Sequence, residues 1–194
     1  MMIDETNIDR RWAMHLFRAD APRVVEDGAT YRDNARKKAD AIARHCNTWA
    51  LADDSGIEID ALGGRPGIFS ARFAGPSATD EENNRKLLEE LRGVPEERRT
   101  ARYRAVIVLA SPDGLLASTE GTCEGRIGMS PRGTGGFGYD PLFLPDGHGG
   151  RTMAELGMEI KNRISHRAKA LNNLSVELRR LKIKDQGANP QVKN

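Results

Sequence analysis

The sequence is poor in cysteine, lacks long apolar runs and has no strong net charge. Its two cysteines lack the short paired spacing of a zinc or redox site, and they are too few for a disulfide framework, which favours a reducing cytoplasm. Thirty Lys and Arg residues nearly balance 28 Asp and Glu residues, so nucleic-acid coating is not the expected role. No segment approaches the length of a membrane span, and the N-terminus is charged where a signal peptide is apolar. These features predict a soluble cytoplasmic protein that binds neither nucleic acid nor membranes.

Helical and strand signals alternate along the chain, which predicts an α/β domain with a mixed sheet. Capping boxes, Val- and Ile-rich segments and turn residues mark the elements. They are a helix from Thr30 to about Cys46, a helix from Thr79 to Leu91, strands at Arg102–Ala110 and Ala117–Glu124, a short helix capped by Thr152, and a long helix beginning at Ser165 with an apolar stripe of Leu171, Leu174, Leu178 and Leu181.

The segment TWALADDSGIEID indicates a strand, a turn at the two aspartates and a second strand. Adjacent carboxylates at Asp53 and Asp54 repel each other unless a cation lies nearby. Mg²⁺ suits such a pair, because it binds one or two carboxylates together with waters and substrate phosphates. An ordinary turn, in which the aspartates bond to local amides, explains the same pattern.

Residues 133–141, GTGGFGYDP, form a glycine-rich segment that is not a Walker loop. No Gly-Lys-Ser/Thr follows, and Pro141 prevents a helix from starting cleanly. In an extended chain Phe137 and Tyr139 would lie on the same side. With Asp140 they suit a flat, hydrogen-bonding ligand such as a nucleobase, although aromatic side chains buried in the core would give the same pattern.

Basic residues gather around the start of the last helix, in KNRISHRAKAL. Cations at a helix N-terminus oppose the helix dipole, and an anionic ligand such as a phosphate would relieve that conflict. A solvated charged face is the ordinary alternative. The residues are Lys161, Arg163, His166, Arg167 and Lys169.

Four segments together resemble the inosine triphosphate pyrophosphatase family, the dITP/XTP pyrophosphatases that clear deaminated purine nucleotides. They are EDGATYRDNA, ALADDSGIEIDALGGRPGIFSARFAG, GTGGFGYDPLFLP and MAELGMEIKNRISHRAKAL, in the same order between about Val25 and Leu181. The resemblance implies a mixed twisted sheet flanked by helices, and two lobes with an active-site cleft between them. It also implies one pyrophosphatase domain, predicted over residues 1–184, a purine nucleoside triphosphate substrate, Mg²⁺ and a homodimer. Residues 185–194 lack the apolar periodicity of the last helix and are expected to form a flexible tail.

The resemblance also assigns roles to individual residues. Asp54 corresponds to the acidic residue that accepts a proton from the attacking water and meets the metal, and Glu26 to the second metal-binding carboxylate. The positions that match substrate contacts are Ser55, Phe137, Gly138, Tyr139, Asp140, Lys161, His166 and Arg167.

The N-terminal segment, residues 1–24, departs from the family pattern. The family usually begins with an apolar strand and a Ser/Thr-Gly-Asn-x-x-Lys loop. The segment ETNIDR matches that loop only weakly: it keeps Asn7, but has Thr6 in place of the glycine and Arg10 in place of the lysine. Because of this departure, a family member that binds nucleotides but has lost catalytic activity remains an alternative. A magnesium-dependent nucleotidyl or phosphoryl transferase would need similar residues.

Overall fold

The computed structural model describes residues 22–187, with side chains as far as Arg180. Most of the predicted divergent N-terminal segment, including Thr6, Asn7 and Arg10, therefore lies outside the described residues. The last helix continues to Gly187, three residues past the predicted domain end at 184, and positions 188–194 of the predicted tail lie outside the description.

Helices and strands alternate along the described chain much as the sequence predicts. The capping boxes at Thr30 and Thr79 are both formed, each with its side chain accepting from the backbone N–H three residues on. The elements are α1 (Tyr31–Cys46), β1 (Ala50–Ile59), α2 (Asp80–Glu90), β2 (Thr100–Ser111), β3 (Gly114–Ile127), β4 (Phe143–Pro145), α3 (Met158–Ile164) and α4 (His166–Gly187), with 3₁₀ turns at Asp60–Leu62, Gly67–Arg72, Glu96–Arg98 and Met153–Glu155.

The strands form one sheet in the order β1-β2-β3-β4, and each neighbouring pair within residues 22–187 is antiparallel. The predicted mixed sheet is therefore not observed there. The connection between β2 and β3 is the predicted Pro-Asp-Gly turn, which is too short for a parallel crossover.

Helices cover both faces of the sheet, as predicted. Three alanines of α1 (35, 39 and 43) pack on one face against Val106, Val108 and Ala110 of β2. On the other face, Ala170 and Leu174 of α4 pack against alternate β2 residues. Of the predicted leucine stripe, Leu174 is buried, Leu178 packs partly against this cluster and Leu171 is exposed.

Gly121 of β3 allows the start of α4 to approach the sheet closely. A Cβ added at this position would lie 2.4 Å from the carbonyl oxygen of His166 and 2.5 Å from the amide nitrogen of Ala170. The glycine therefore fixes how deeply the N-terminal turn of α4 sits against the sheet.

The predicted turn at Asp53 and Asp54 is wrong, because β1 is one continuous strand. Its register with β2 runs without interruption from Ala50 opposite Ala110 to Ile59 opposite Ala101. Successive side chains of a strand point to opposite faces, so Asp54 faces α1 whereas Asp53 and Ser55 face α4. The strand tolerates both acids because each carboxylate finds a cationic partner on its own face.

Within residues 22–187, no helix is sufficiently long and apolar to cross a bilayer.

Candidate active site

A cluster of two carboxylates and one lysine occupies the α1 face of β1. Nζ of Lys38 lies 2.9 Å from Oδ1 of Asp54 and 3.0 Å from Oε1 of Glu26. Nδ2 of Asn34 donates to Oδ2 of Asp54 over 3.4 Å, and Oδ1 of Asn34 accepts from the amide of Gly28 over 2.8 Å. Residues 34 and 38 are one helical turn apart on α1, so a single helix face aligns both side chains with Asp54.

Burial and charge act in opposite directions on this cluster. Burial raises the pKa of Asp54, and the hydrogen bond and charge of Lys38 partly oppose that rise. Burial would lower the pKa of Lys38, but its contacts with Asp54 and Glu26 outweigh burial, so the net pKa is raised. Lys38 is therefore a stable cation that holds two carboxylates together at neutral pH.

The carboxylates of Glu26 and Asp54 fit the ligand chemistry of Mg²⁺. Both contact the same ammonium group, so their oxygens converge on a position that already favours a cation. No group of three or more His, Cys, Asp or Glu side chains suited to a metal occurs within residues 22–187. Two carboxylates are nevertheless a typical protein contribution to Mg²⁺, which completes its shell with waters and phosphate oxygens.

Arg167 occupies the opposite face of β1, near the start of α4. Its Nε donates to Oδ2 of Asp53 over 2.7 Å, and its Nη2 donates to Oγ of Ser55 over 3.0 Å. Its guanidinium carbon lies 5.2 Å from the centre of the Phe137 ring, within cation–π range. Phe137 itself is 63% exposed, which leaves its ring available to a ligand.

The glycine-rich loop is turned rather than extended, so the prediction that Phe137 and Tyr139 share one side is wrong. Gly136 and Gly138 have φ values of +92° and +59°, which bend the backbone between the rings. Tyr139 is only 4% exposed, and its hydroxyl donates to the carbonyl oxygen of Ser70 over 2.8 Å. Phe137 therefore presents a ring to solvent, whereas Tyr139 anchors the loop in the core.

Asp140 and Lys161 form a pair at the base of this loop. Nζ of Lys161 lies 3.0 Å from Oδ2 of Asp140, and the hydroxyl of Tyr103 donates to Oδ1 over 3.2 Å. A Cβ on Gly136 would collide with Oδ2 of Asp140 and force this pair to shift, so glycine lets the backbone pass close to the undisturbed pair.

His166 lies beside the same group and is neutral at pH 7. Its ring stacks on Tyr103 with the centroids 4.8 Å apart. Burial, with a smaller contribution from the charge of Arg167, lowers the pKa of His166 to about 4. Its Nδ1 is buried and has no hydrogen-bond partner within the described residues.

The predicted site residues thus form two groups that meet at β1. Asp54 and Glu26 lie on the α1 face, whereas Ser55, Phe137 and Arg167 lie on the α4 face. Asp140, Lys161 and His166 also lie on the α4 side and are linked through Tyr103. Gly138 is held at the loop by α2, whose Asp80 accepts from its amide and whose Asn84 donates to its carbonyl oxygen.

The sequence reasoning missed Asn34 and Lys38 of the first group. Their four-residue spacing, one turn into a capped helix that follows Glu26, is the local signal for a polar helix face. It also missed Asp53 and Tyr103 as partners of Arg167 and Asp140. Such partners, 114 and 37 residues away in sequence, leave no local pattern.

The fold and this site define an α/β protein with a carboxylate–lysine cluster and an aromatic–arginine cluster on adjoining residues of one strand. Residues 2–177 match the Ham1 family. Among curated proteins, the chain is 51% identical to the dITP/XTP pyrophosphatase of Anaeromyxobacter sp. (82% of each chain covered) and 55% identical to that of Desulforamulus reducens (82% of this chain and 79% of the relative). The structure of a HAM1 protein from Coxiella burnetii is 44% identical, with a TM-score of 0.77 over 82% of each chain. The chain belongs to the Ham1 family, which confirms the resemblance inferred from its motifs.

Proposed function

We propose that this protein hydrolyses deaminated purine nucleoside triphosphates, of the dITP, ITP and XTP type, to the monophosphate and pyrophosphate. The observation that carries the proposal is that consecutive residues of β1 serve two different clusters. Asp54 joins Glu26 and Lys38, and its neighbour Ser55 holds Arg167 against Phe137. A nucleotide lying across the outer edge of β1 would place its phosphates at the first cluster and its base at the second.

The relatives' names support the substrate class. The proteins from Anaeromyxobacter and Desulforamulus are both named dITP/XTP pyrophosphatase, and about four-fifths of this chain aligns with each of them.

Within this proposal, Asp54 accepts a proton from the water that attacks the α-phosphorus. The oxygen of that water forms the new bond, and the bond from the α-phosphorus to the bridging oxygen breaks to release pyrophosphate. Lys38 supplies positive charge beside the reacting phosphates. Glu26 and Asp54 would hold Mg²⁺, which, when bound, neutralises charge on the triphosphate.

Base selection follows from the donors on the α4 side. Arg167 donates only, so it favours the oxygen at purine position 6 of hypoxanthine or xanthine over the amino group of adenine. Guanine carries the same oxygen, so rejection of GTP requires a different contact, at position 2. His166, which is neutral and carries one N–H donor, is the candidate for that contact.

A pyrophosphate-release assay on ITP, dITP, XTP, GTP and ATP, with and without Mg²⁺, tests the reaction. We expect release from the first three nucleotides only when Mg²⁺ is present. Nucleotide binding without release would instead support a binding module, and release that requires an acceptor would support a transferase.

Replacing Arg167 tests base recognition. A correct bidentate donor discriminates by about 1–3 kcal/mol, so Arg167→Ala should lower the ITP-to-ATP ratio of kcat/KM by about 5- to 150-fold. Arg163→Ala is the matched control, because Arg163 is exposed and, among the described residues, its ion-pair partner is Glu159 on its own helix. Equal losses on ITP and ATP would make Arg167 a phosphate-binding or structural residue.

The remaining parts of the proposal rest on the family resemblance. They are two lobes with a cleft between them, and a homodimer, which sedimentation of the purified protein tests. A cytoplasmic location stays a prediction.

A further inference from the structure

Asp53 is the one member of the Asp53–Asp54 pair without a role in the reaction described above. It lies on the α4 face of β1, away from Glu26 and Lys38, because consecutive residues of a strand point to opposite faces. Its carboxylate is paired with Arg167. The two acids therefore cannot act as a joint metal site, which the sequence alone allowed.

The guanidinium group of Arg167 is held at three points. Nε donates to Oδ2 of Asp53, Nη2 donates to Oγ of Ser55, and the group lies over the ring of Phe137. Two donors to acceptors on alternate residues of one strand, Asp53 and Ser55, fix the plane of the guanidinium group. Of its five N–H groups, these bonds use two, and the other three have no hydrogen-bond partner within residues 22–187, beside the exposed Phe137 ring.

The contact between Asp53 and Arg167 is suited to orientation more than to stability. Each side chain is about two-fifths exposed, so water screens the pair and its contribution to folding is small. An arginine on the first turn of a helix, with no carboxylate beside it, could adopt several rotamers and point its donors into solvent. The carboxylate restricts that freedom before any ligand binds.

We propose that Asp53 is a positioning residue for base selection: it orients Arg167 so that the free guanidinium N–H groups meet the purine at position 6. This inference rests on the proposed function, and it assigns the two neighbouring aspartates to separate tasks. Asp54 serves hydrolysis on one face of β1, and Asp53 serves discrimination between bases on the other.

The first test compares Asp53→Asn and Asp53→Ala with wild type. We expect the ITP-to-ATP ratio of kcat/KM to fall about tenfold in Asp53→Ala and less in Asp53→Asn, because Asn keeps an oxygen acceptor for Nε. The Mg²⁺ concentration that gives half-maximal rate should not change in either variant, since Asp53 lies on the face away from Glu26. Asp113→Asn, in the exposed β2–β3 turn, is the matched control and should leave both quantities unchanged.

A double-mutant cycle then asks whether Asp53 acts through Arg167. In an Arg167→Ala background, Asp53→Ala should cause little further loss of selectivity, so the two effects should be strongly non-additive. Additive effects, equal losses on ITP and ATP, or a shifted Mg²⁺ requirement would each overturn the inference.

Equilibrium binding separates this inference from the proposed function. The dissociation constants of ITP and ATP, measured in the same variants, report base discrimination without turnover. If wild type binds ITP selectively but releases no pyrophosphate, the proposed hydrolysis fails, and the binding ratio still decides the role of Asp53. If wild type binds both nucleotides equally, there is no discrimination for Asp53 to serve and the inference is wrong.

Discussion

Replacing Lys38 with Met would remove the cation that joins Glu26 to Asp54 while keeping a side chain of similar length. The contact with Asp54 is largely buried, and a hydrogen bond between charged groups in that setting stabilises by about 1.5–3 kcal/mol. The carboxylate of Glu26 is 37% exposed, so after solvent screening its contact adds only about 0.5 kcal/mol. The expected loss of unfolding free energy is therefore about 3 kcal/mol.

For a domain of this size, each kcal/mol shifts the melting temperature by about 2–4 °C, so Lys38→Met should melt about 6–12 °C below wild type. Mg²⁺ should recover more of that loss in the variant than it adds to wild type, because it can take the place of the missing charge between the two carboxylates. Turnover of ITP should fall about 10²–10³-fold, the usual cost of removing one preorganised donor from a developing charge.

Thermal melts with and without Mg²⁺, together with pyrophosphate release, measure these effects. Lys37→Met is the matched control, because it removes the same charge from the neighbouring position of α1. Within residues 22–187, the ion-pair partner of Lys37 is the exposed Asp27. The control should keep its turnover and melt close to wild type. A Lys38→Met protein with the stability and turnover of wild type would refute the role that we derive for this cluster.

Three further predictions concern Asp54, His166 and Gly136. Asp54→Asn should abolish most turnover while the protein stays folded, because Asn keeps the shape of the side chain but lacks its charge and basicity. Near-normal turnover by the folded variant would show that Asp54 is not the catalytic base. The pKa of His166 falls from 6.5 to about 4 on folding, so between pH 6.5 and 4 the folded chain binds fewer protons than the unfolded chain. The free energy of unfolding should therefore drop by about 3 kcal/mol as the pH falls from 6.5 to 4. Chemical denaturation at a series of pH values measures this drop, and His166→Asn should flatten it. Gly136→Ala should raise the KM for ITP, because its φ is +92° and the new Cβ would collide with the pair formed by Asp140 and Lys161.

The control for Gly136→Ala is Gly149→Ala. Gly149 also has a positive φ, +64°, but a Cβ there meets nothing within 4 Å. Gly149→Ala therefore also carries a penalty for a positive φ, but without the collision. Equal KM values for the two variants would show that the collision at Gly136 has no consequence for the site.

Local patterns were enough to predict most of the secondary structure. A capping box acts within four residues, so the starts of α1 and α2 could be inferred from Thr30 and Thr79. The Val- and Ile-rich β2 and the Pro-Asp-Gly turn after it are equally local, and the structure confirms both. The same kind of reasoning failed at Asp53 and Asp54, because polarity indicates a turn unless the partners of the side chains are known.

The sequence by itself determined the family, the order of the elements other than β4 and α3, and the residue types available for chemistry. These depend on motifs and on contacts a few positions apart. Only the tertiary structure decided how those residues divide between the faces of β1. Because side chains alternate along the strand, Asp54 contacts Lys38 and Asp53 contacts Arg167, partners that lie 16 and 114 residues away. In the glycine-rich loop, the positive φ values of Gly136 and Gly138 turn the backbone so that Tyr139 is buried and Phe137 is exposed. Such pairings arise from long-range packing of α1 and α4 on opposite faces of one sheet, which no local pattern encodes.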